Sequence, residues 1–273
     1  MKLQFGLGAW SNKHFEHTLY PLRTKHAEYL GRYGAVFPTV EVDKLYHFAA
    51  DAQELYAWAE QAPDHLTFLP KMHKTVCAED KDDAALQRAK EHIKSYEPLG
   101  SHLGPILSQF PPSWGYTEDD LDWLASLLKL APGRMSVELR NDSWWRDETK
   151  EVLEANQAPL VWSTHHKAPA PAWTTGAFGH VRFVGPHFKD KRGRHTTQED
   201  RLMDILAMRE RIQVAPWDEC HVIITNTFEG NAIDSLPRIC AALGEPELAK
   251  RVTRAPGSVL FPDAVGRGQG TLF

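Results

Sequence analysis

Ionisable residues stand two apart at the ends of short apolar runs. Glu41 and Asp43 follow Thr39-Val40, Lys71 and His73 follow Leu69-Pro70, and Glu138 and Arg140 follow Met135-Ser136-Val137. If each run is a β-strand, a spacing of two keeps both side chains on one face. Carboxylates so placed can move protons or hold cations, and arginine grips a carboxylate or phosphate through two parallel N–H bonds. Other runs end in Trp10, Gln109, Thr164-His165, Arg182 and Asn226. Glu138, Glu41, Asp43 and Lys71 are therefore the candidate catalytic groups. Arg140, Arg182, Gln109, Asn226 and Trp10 are the candidate ligand contacts. Glu138 can equally serve to orient Arg140, since a carboxylate beside an arginine fixes its fork. Paired charges at strand ends can also be purely structural, because burying a charge is costly unless it is paired.

A second basic feature is the run GPHFKDKRGRH, residues 185–195, with Lys191 and Arg192 at its centre. Loops after late strands of α/β barrels often take phosphate, so these two join the candidate contacts; the alternative is a solvated loop. Fourteen histidines are present, yet none falls in an H-E-x-x-H spacing. A divalent metal beside His73, His165 or Asp43 is an open but minor expectation, and the cofactor is unassigned. There is no G-x-S-x-G, and G-L-G at 6–8 lacks the third glycine of a dinucleotide fingerprint.

The elements that must position these residues follow from hydropathy. Strands are expected at 3–9, 39–46, 66–72, 104–110, 134–140, 160–164, 180–185 and 220–226. Their apolar residues are often contiguous, as in buried parallel strands. Apolar stripes predict helices over 83–97, 118–130, 198–213 and 231–243. Thr117 with Asp120, and Thr197 with Asp200, are placed as N-terminal caps. Pro237 should kink the last helix or delay its start. Eight strands alternating with helices indicate an α/β protein, a TIM-type (β/α)₈ barrel over residues 1–243; an open doubly wound sheet is the alternative. The Pro- and Gly-rich stretch 165–179 leaves no normal helix between strands six and seven. Active sites of such barrels lie at the C-terminal strand ends, where these polar residues fall.

Bulk composition narrows the classes. The chain has 273 residues, 42% hydrophobic and 25% charged, with a formal net charge of −5. That excludes a globally basic nucleic-acid binder. Three distant cysteines form no C-x-x-C, which fits a reducing cytoplasm. No apolar run approaches the roughly 20 residues that cross a bilayer, so no membrane partner is expected. The expected partner is an anionic small molecule or nucleic acid.

Several motifs together resemble the domain-of-unknown-function family 72, also called YecE-like proteins. They are G-L-G-A-W at 6–10, F-P-T-V-E-V-D-K-L-Y at 37–46, F-L-P-K at 68–71, Q-F-P-P at 109–112, V-E-L-R-N-D-S-W at 137–144, V-R-F-V-G at 181–185 and N-T-F-E-G-N-A at 226–232. The resemblance implies a TIM-type barrel and no established reaction. The chain departs from the family pattern at Asp43, where Asn is usual, and at Val184, where His is common. It also lacks the Thr-His usual after strand three.

Residues 244–273 form a tail ending in QGTLF. Gln269, Leu272 and Phe273 match the peptide with which bacterial repair and replication proteins dock on the DNA sliding clamp. A short extended peptide can bury Leu and Phe in a preformed pocket while Gln hydrogen-bonds nearby. This tail gives a second expectation, an accessory module recruited to the clamp. Deleting residues 269–273 is expected to abolish clamp binding in surface plasmon resonance without changing Tm. Full-length protein that ignores the clamp sinks this expectation.

Overall fold

The computed structural model describes residues 1–12, 15, 18–21, 23–165, 169–185 and 198–253. Every expected apolar run contains a strand. These are β1 (Lys2–Leu7), β2 (Thr39–Val42), β3 (Thr67–Pro70), β4 (Ile106–Gln109), β5 (Met135–Glu138), β6 (Trp162–Ser163), β7 (Gly179–Phe183) and β8 (Glu219–Ile224). Six form one sheet in the order β3-β2-β1-β8-β7-β6, and β4 pairs with β5. All of these pairings are parallel. Isolated parallel bridges join Phe68 to Leu103, Lys71 to Leu107 and Val137 to Leu160. The result is an α/β fold with a mostly parallel central sheet, consistent with a TIM-like fold.

Helices alternate with the strands: α1 (Tyr29–Gly34), α2 (Lys44–His47), α3 (Ala52–Gln61), α4 (Lys74–Cys77), α5 (Asp83–Ser95), α6 (Glu118–Leu128), α7 (Asp147–Ala155), α8 (Leu202–Val214), α9 (Ala232–Ala242) and α10 (Pro246–Thr253). Thr117 caps α6 as its spacing predicts, its Oγ1 accepting from the Asp120 N–H at 3.0 Å. Thr197 lies outside the described residues. At the start of α8 it is Asp200 that accepts, from the Leu202 N–H at 3.0 Å. α9 starts at Ala232 and runs through Pro237, so the start is not delayed. No helix forms between β6 and β7 among the described residues. The tail begins with α10, which packs on α9 and buries Val252. No helix among the described residues is long and apolar enough to cross a membrane.

Strand alternation sorts side chains into two compartments. One face carries Val40, Val42, Phe68, Val137, Val181, Phe183 and Val222 into the main apolar cluster, against Leu55, Ala89, Leu124, Leu153, Ile205 and Leu236 from the helices. The other face carries Leu69, Leu107, Val161 and Ile223, which are buried but stand outside that cluster. Glu41, Lys71, Gln109, Glu138 and Arg182 share this second face by alternation. The core thus leaves one face of the strands free for polar chemistry.

Lower on that face, Gln4, His221 and His180 are in register across β1, β8 and β7. His180 Nδ1 lies 2.7 Å from Ser136 Oγ. Burial holds the His180 pKa well below 6.5, reinforced by His221 and Arg182 and opposed by Glu138. Burial likewise lowers His221 to about 4, with Lys2 assisting and Glu219 opposing. Both histidines are therefore neutral in the fold and would charge more readily when unfolded. Their contribution to stability is complete above the unfolded pKa near 6.5. For His221 it is lost as pH falls from there toward about 4, by roughly 1.4 kcal/mol per pH unit. Urea unfolding from pH 7 to pH 4 is expected to show this decline, and His221→Gln to make it shallower. Identical slopes for wild type and variant would contradict it.

Candidate functional site

β7 delivers Arg182 to the centre of the polar face. Its Nε and Nη2 donate to the two oxygens of Glu41, both at 2.7 Å. Its Nη1 donates to Glu138 Oε2 and, at 3.1 Å, to Gln109 Oε1. One guanidinium thereby ties together β2, β4, β5 and β7. The second oxygen of Glu138 accepts from Arg140 Nε at 2.8 Å, so Glu138 bridges two arginines. Next to this network, Lys71 Nζ donates to Asp43 Oδ1 at 2.6 Å and stands 4.6 Å from the centre of the Tyr46 ring.

Burial divides these groups into two layers. The side chains of Glu138, Glu41, Arg182 and Lys71 are at most 5% exposed, against 16% for Arg140 and 49% for Asp43. Burial pushes the Glu138 carboxyl up, but Arg182 and Arg140, with Lys71 behind them, outweigh it and hold the pKa well below the carboxylate range. Burial and the carboxylates act in the same opposed way on Arg182, and Glu138 with Glu41 raises it. For Asp43, burial is outweighed by Lys71, with Arg182 and His47 adding to the lowering. The carboxylates of Glu138 and Asp43 are ionised at neutral pH.

Above the network lies a cavity of about 800 Å³. Glu41, Asp43, Lys71, Gln109, Arg140, Arg182 and Asn226 all line it. Seven of the expected positions thus converge. Glu138 lies beneath the wall, reached through its two arginines. Trp10 does not join them. β1 ends at Leu7, Gly8 and Ala9 take the wall, and the Trp10 ring turns into the core, 4.7 Å from Trp58 and 5.7 Å from Phe68. His73 is also diverted, stacking on His92 at 4.8 Å. Trp144 is fully buried and donates from Nε1 to the Trp114 carbonyl. Lys191, Arg192, Gln269, Leu272 and Phe273 lie outside the described residues. Among the described residues, no group of three His, Cys, Asp or Glu is arranged to hold a metal.

The sequence pattern missed other lining residues. Tyr46 and His47 were expected as strand or as nothing, but Asp43 adopts helical angles (φ −61°, ψ −27°), and α2 turns both toward the cavity. Thr225 and Thr227 flank Asn226 in the T-N-T run and also line the wall, their hydroxyls 2.9 Å apart. Arg201 acts from outside the wall. It donates to the carbonyls of Thr164 at 2.9 Å and Val184 at 2.8 Å, fastening the ends of β6 and β7, while its Nε bonds Asp204. Its partners at the strand ends are backbone carbonyls, which no residue spacing announces.

A TIM-like α/β protein with a charge-paired polar cavity at the C-terminal ends of its strands is the class defined by these features. Within it, the chain belongs to the family described as protein of unknown function DUF72, whose model matches residues 4–258. A DUF72 family protein from Thermotoga maritima superimposes with a TM-score of 0.73 at 21% identity, covering 92% of this chain and 100% of that one. A DUF72 family protein from Enterococcus faecalis gives a TM-score of 0.70 at 21% identity, covering 89% of this chain and 95% of that one. At such identities the likeness concerns the fold. No curated protein matches the chain.

The two layers should respond differently to substitution. Arg182→Met strands the buried Glu41 carboxylate, leaves Glu138 with Arg140 alone, and is expected to cost about 3–5 kcal/mol in urea unfolding. Arg140→Ala, at the half-open layer, is expected to cost about 1 kcal/mol. Equal losses would refute the division.

Proposed function

We propose that the eight strands close into a barrel and that the cavity at its C-terminal mouth binds a small ligand through an anionic group. The isolated bridges between β3 and the β4 side, and between β5 and the β6 side, support closure. The observation that carries the ligand reading is Arg140. Its Nε and Nη2 are held by one oxygen of Glu138, its side chain lines the cavity, and no bond to its Nη1 is formed among the described residues. A guanidinium oriented from behind and open in front is a ready donor to carboxylate or phosphate. TIM-like proteins place their ligand sites at this end of the strands.

In this reading Glu138 orients and does not exchange protons. A carboxylate bonded to two arginines and held far below neutral pKa is a weak base and, at neutral pH, no acid. Asp43 is the carboxylate with an oxygen left over at the cavity, since only its Oδ1 is used by Lys71. A ligand at this site would meet its remaining carboxylate oxygen there.

The test is thermal unfolding of wild type with a panel of hydroxy acids, sugar phosphates and inorganic anions. At one hundred times its Kd a ligand stabilises by about 2.7 kcal/mol, a readily measured rise in Tm. Arg140→Ala is expected to abolish the rise while leaving the ligand-free protein folded. A rise that survives Arg140→Ala places the ligand elsewhere.

A further inference from the structure

We propose that the cavity selects a small monoacid that also carries hydroxyl groups, and that Asp43 is the residue that sets this choice against polyanions. This rests on the ligand-site reading above and narrows it. The basis is charge pairing along the wall. Arg182 is bound to Glu41 and Glu138, Arg140 to Glu138, and Lys71 to Asp43. Lys44, also on the wall, is held by Glu54 at 2.5 and 2.6 Å. Among the described residues, each cation of the wall is matched by a carboxylate before any ligand arrives. A site built for two or more phosphate charges needs cations in excess. Among its described residues this wall offers the unused edge of Arg140, enough for one acid group.

The remaining wall groups suit hydroxyls. Gln109 spends its carbonyl on Arg182 and Asn226 spends its carbonyl on the Ala232 N–H at 3.3 Å. Both therefore turn N–H donors to a ligand, matching hydroxyl oxygens. Asp43 supplies the complementary acceptor, an ionised oxygen at a side chain that is 49% exposed. A hydroxyl group satisfies it by donating. Pyrophosphate, ionised, offers little to donate, and its charge is repelled. Asp43 also cancels Lys71, whose ammonium it pairs through Oδ1. Replacing Asp43 by Asn keeps the shape, removes the repulsion and releases Lys71 toward an anion.

Isothermal titration calorimetry of the full-length protein tests this with two probes, gluconate and inorganic pyrophosphate. Wild type is expected to bind gluconate about tenfold or more tightly than pyrophosphate, and Asp43→Asn to reverse the order. Asp43→Ser serves as a second variant should the first lose stability, since both remove the charge. Arg140→Ala is expected to lose both probes. Equal pyrophosphate affinity in wild type and the Asp43 variants overturns the proposed selectivity, while loss of binding in Arg140→Ala still supports the site. Affinities untouched by Arg140→Ala overturn the site itself. Failure of both probes to bind wild type overturns the proposed ligand class, and the thermal panel with Arg140→Ala then decides the site separately.

Discussion

Arg182 is buried among strands that share no sequence neighbourhood, and its guanidinium satisfies two carboxylates at once. Glu41 comes from β2, Glu138 from β5 and Gln109 from β4. Placing three such charges out of water is costly for each alone, and truncating one member leaves the others unpaired. The network therefore couples strands to one another through side chains, independently of backbone pairing. It does so where backbone pairing is thinnest, since β4 and β5 form their own two-stranded sheet and reach the rest only through isolated bridges.

The layer above inherits its geometry from this ion cluster. Arg140 is steered by the Glu138 oxygen that Arg182 leaves free, so the outer guanidinium is fixed by a group it shares with the inner one. The rest of the wall is held by other means. Arg201 ties the ends of β6 and β7 through their carbonyls, and Gly185 lies where an added Cβ would strike the Thr227 and Phe228 carbonyls. That close approach requires glycine and brings the end of β7 against the segment after β8. Rigid strand ends on both sides leave the short α2 turn, with Asp43, Tyr46 and His47, as a part of the wall set by local helix geometry.

Strand positions were legible because contiguous apolar residues are what strands buried on both faces require, and all eight runs contain one. The convergence of Glu41, Lys71, Gln109, Arg140, Arg182 and Asn226 was legible from period two and strand-end position. Their partners were not. Nothing in V-E-L-R says whether Glu138 serves Arg140 alone or also an arginine 44 residues away. Strand ends were the weak point. Reading β1 through to Ala9 put Trp10 at the site, whereas the strand stops at Leu7 and the indole packs on Trp58 and Phe68. Reading β2 through Tyr46 hid α2, because Lys-Leu-Tyr-His fits either element and only the backbone of Asp43 decides. Arg201 carried no signal for its place beside the wall, since its partners at the strand ends are main-chain oxygens.

The division between an inner and an outer layer bears on how such a site can change. An inner carboxylate cannot be exchanged without unpairing one edge of Arg182, whose side chain is only 4% exposed. Asp43 and Arg140 sit where water reaches, so their charges are cheaper to remove and their loss is partly screened. Asp43 falls in this tolerant layer. An Asn there would still fill the space but could not ionise, and Lys71 would face the cavity with its charge unmatched. A single atom's difference, oxygen for nitrogen, thus alters the net charge presented to a ligand while the strand frame beneath it, held by Arg182, stays as it is.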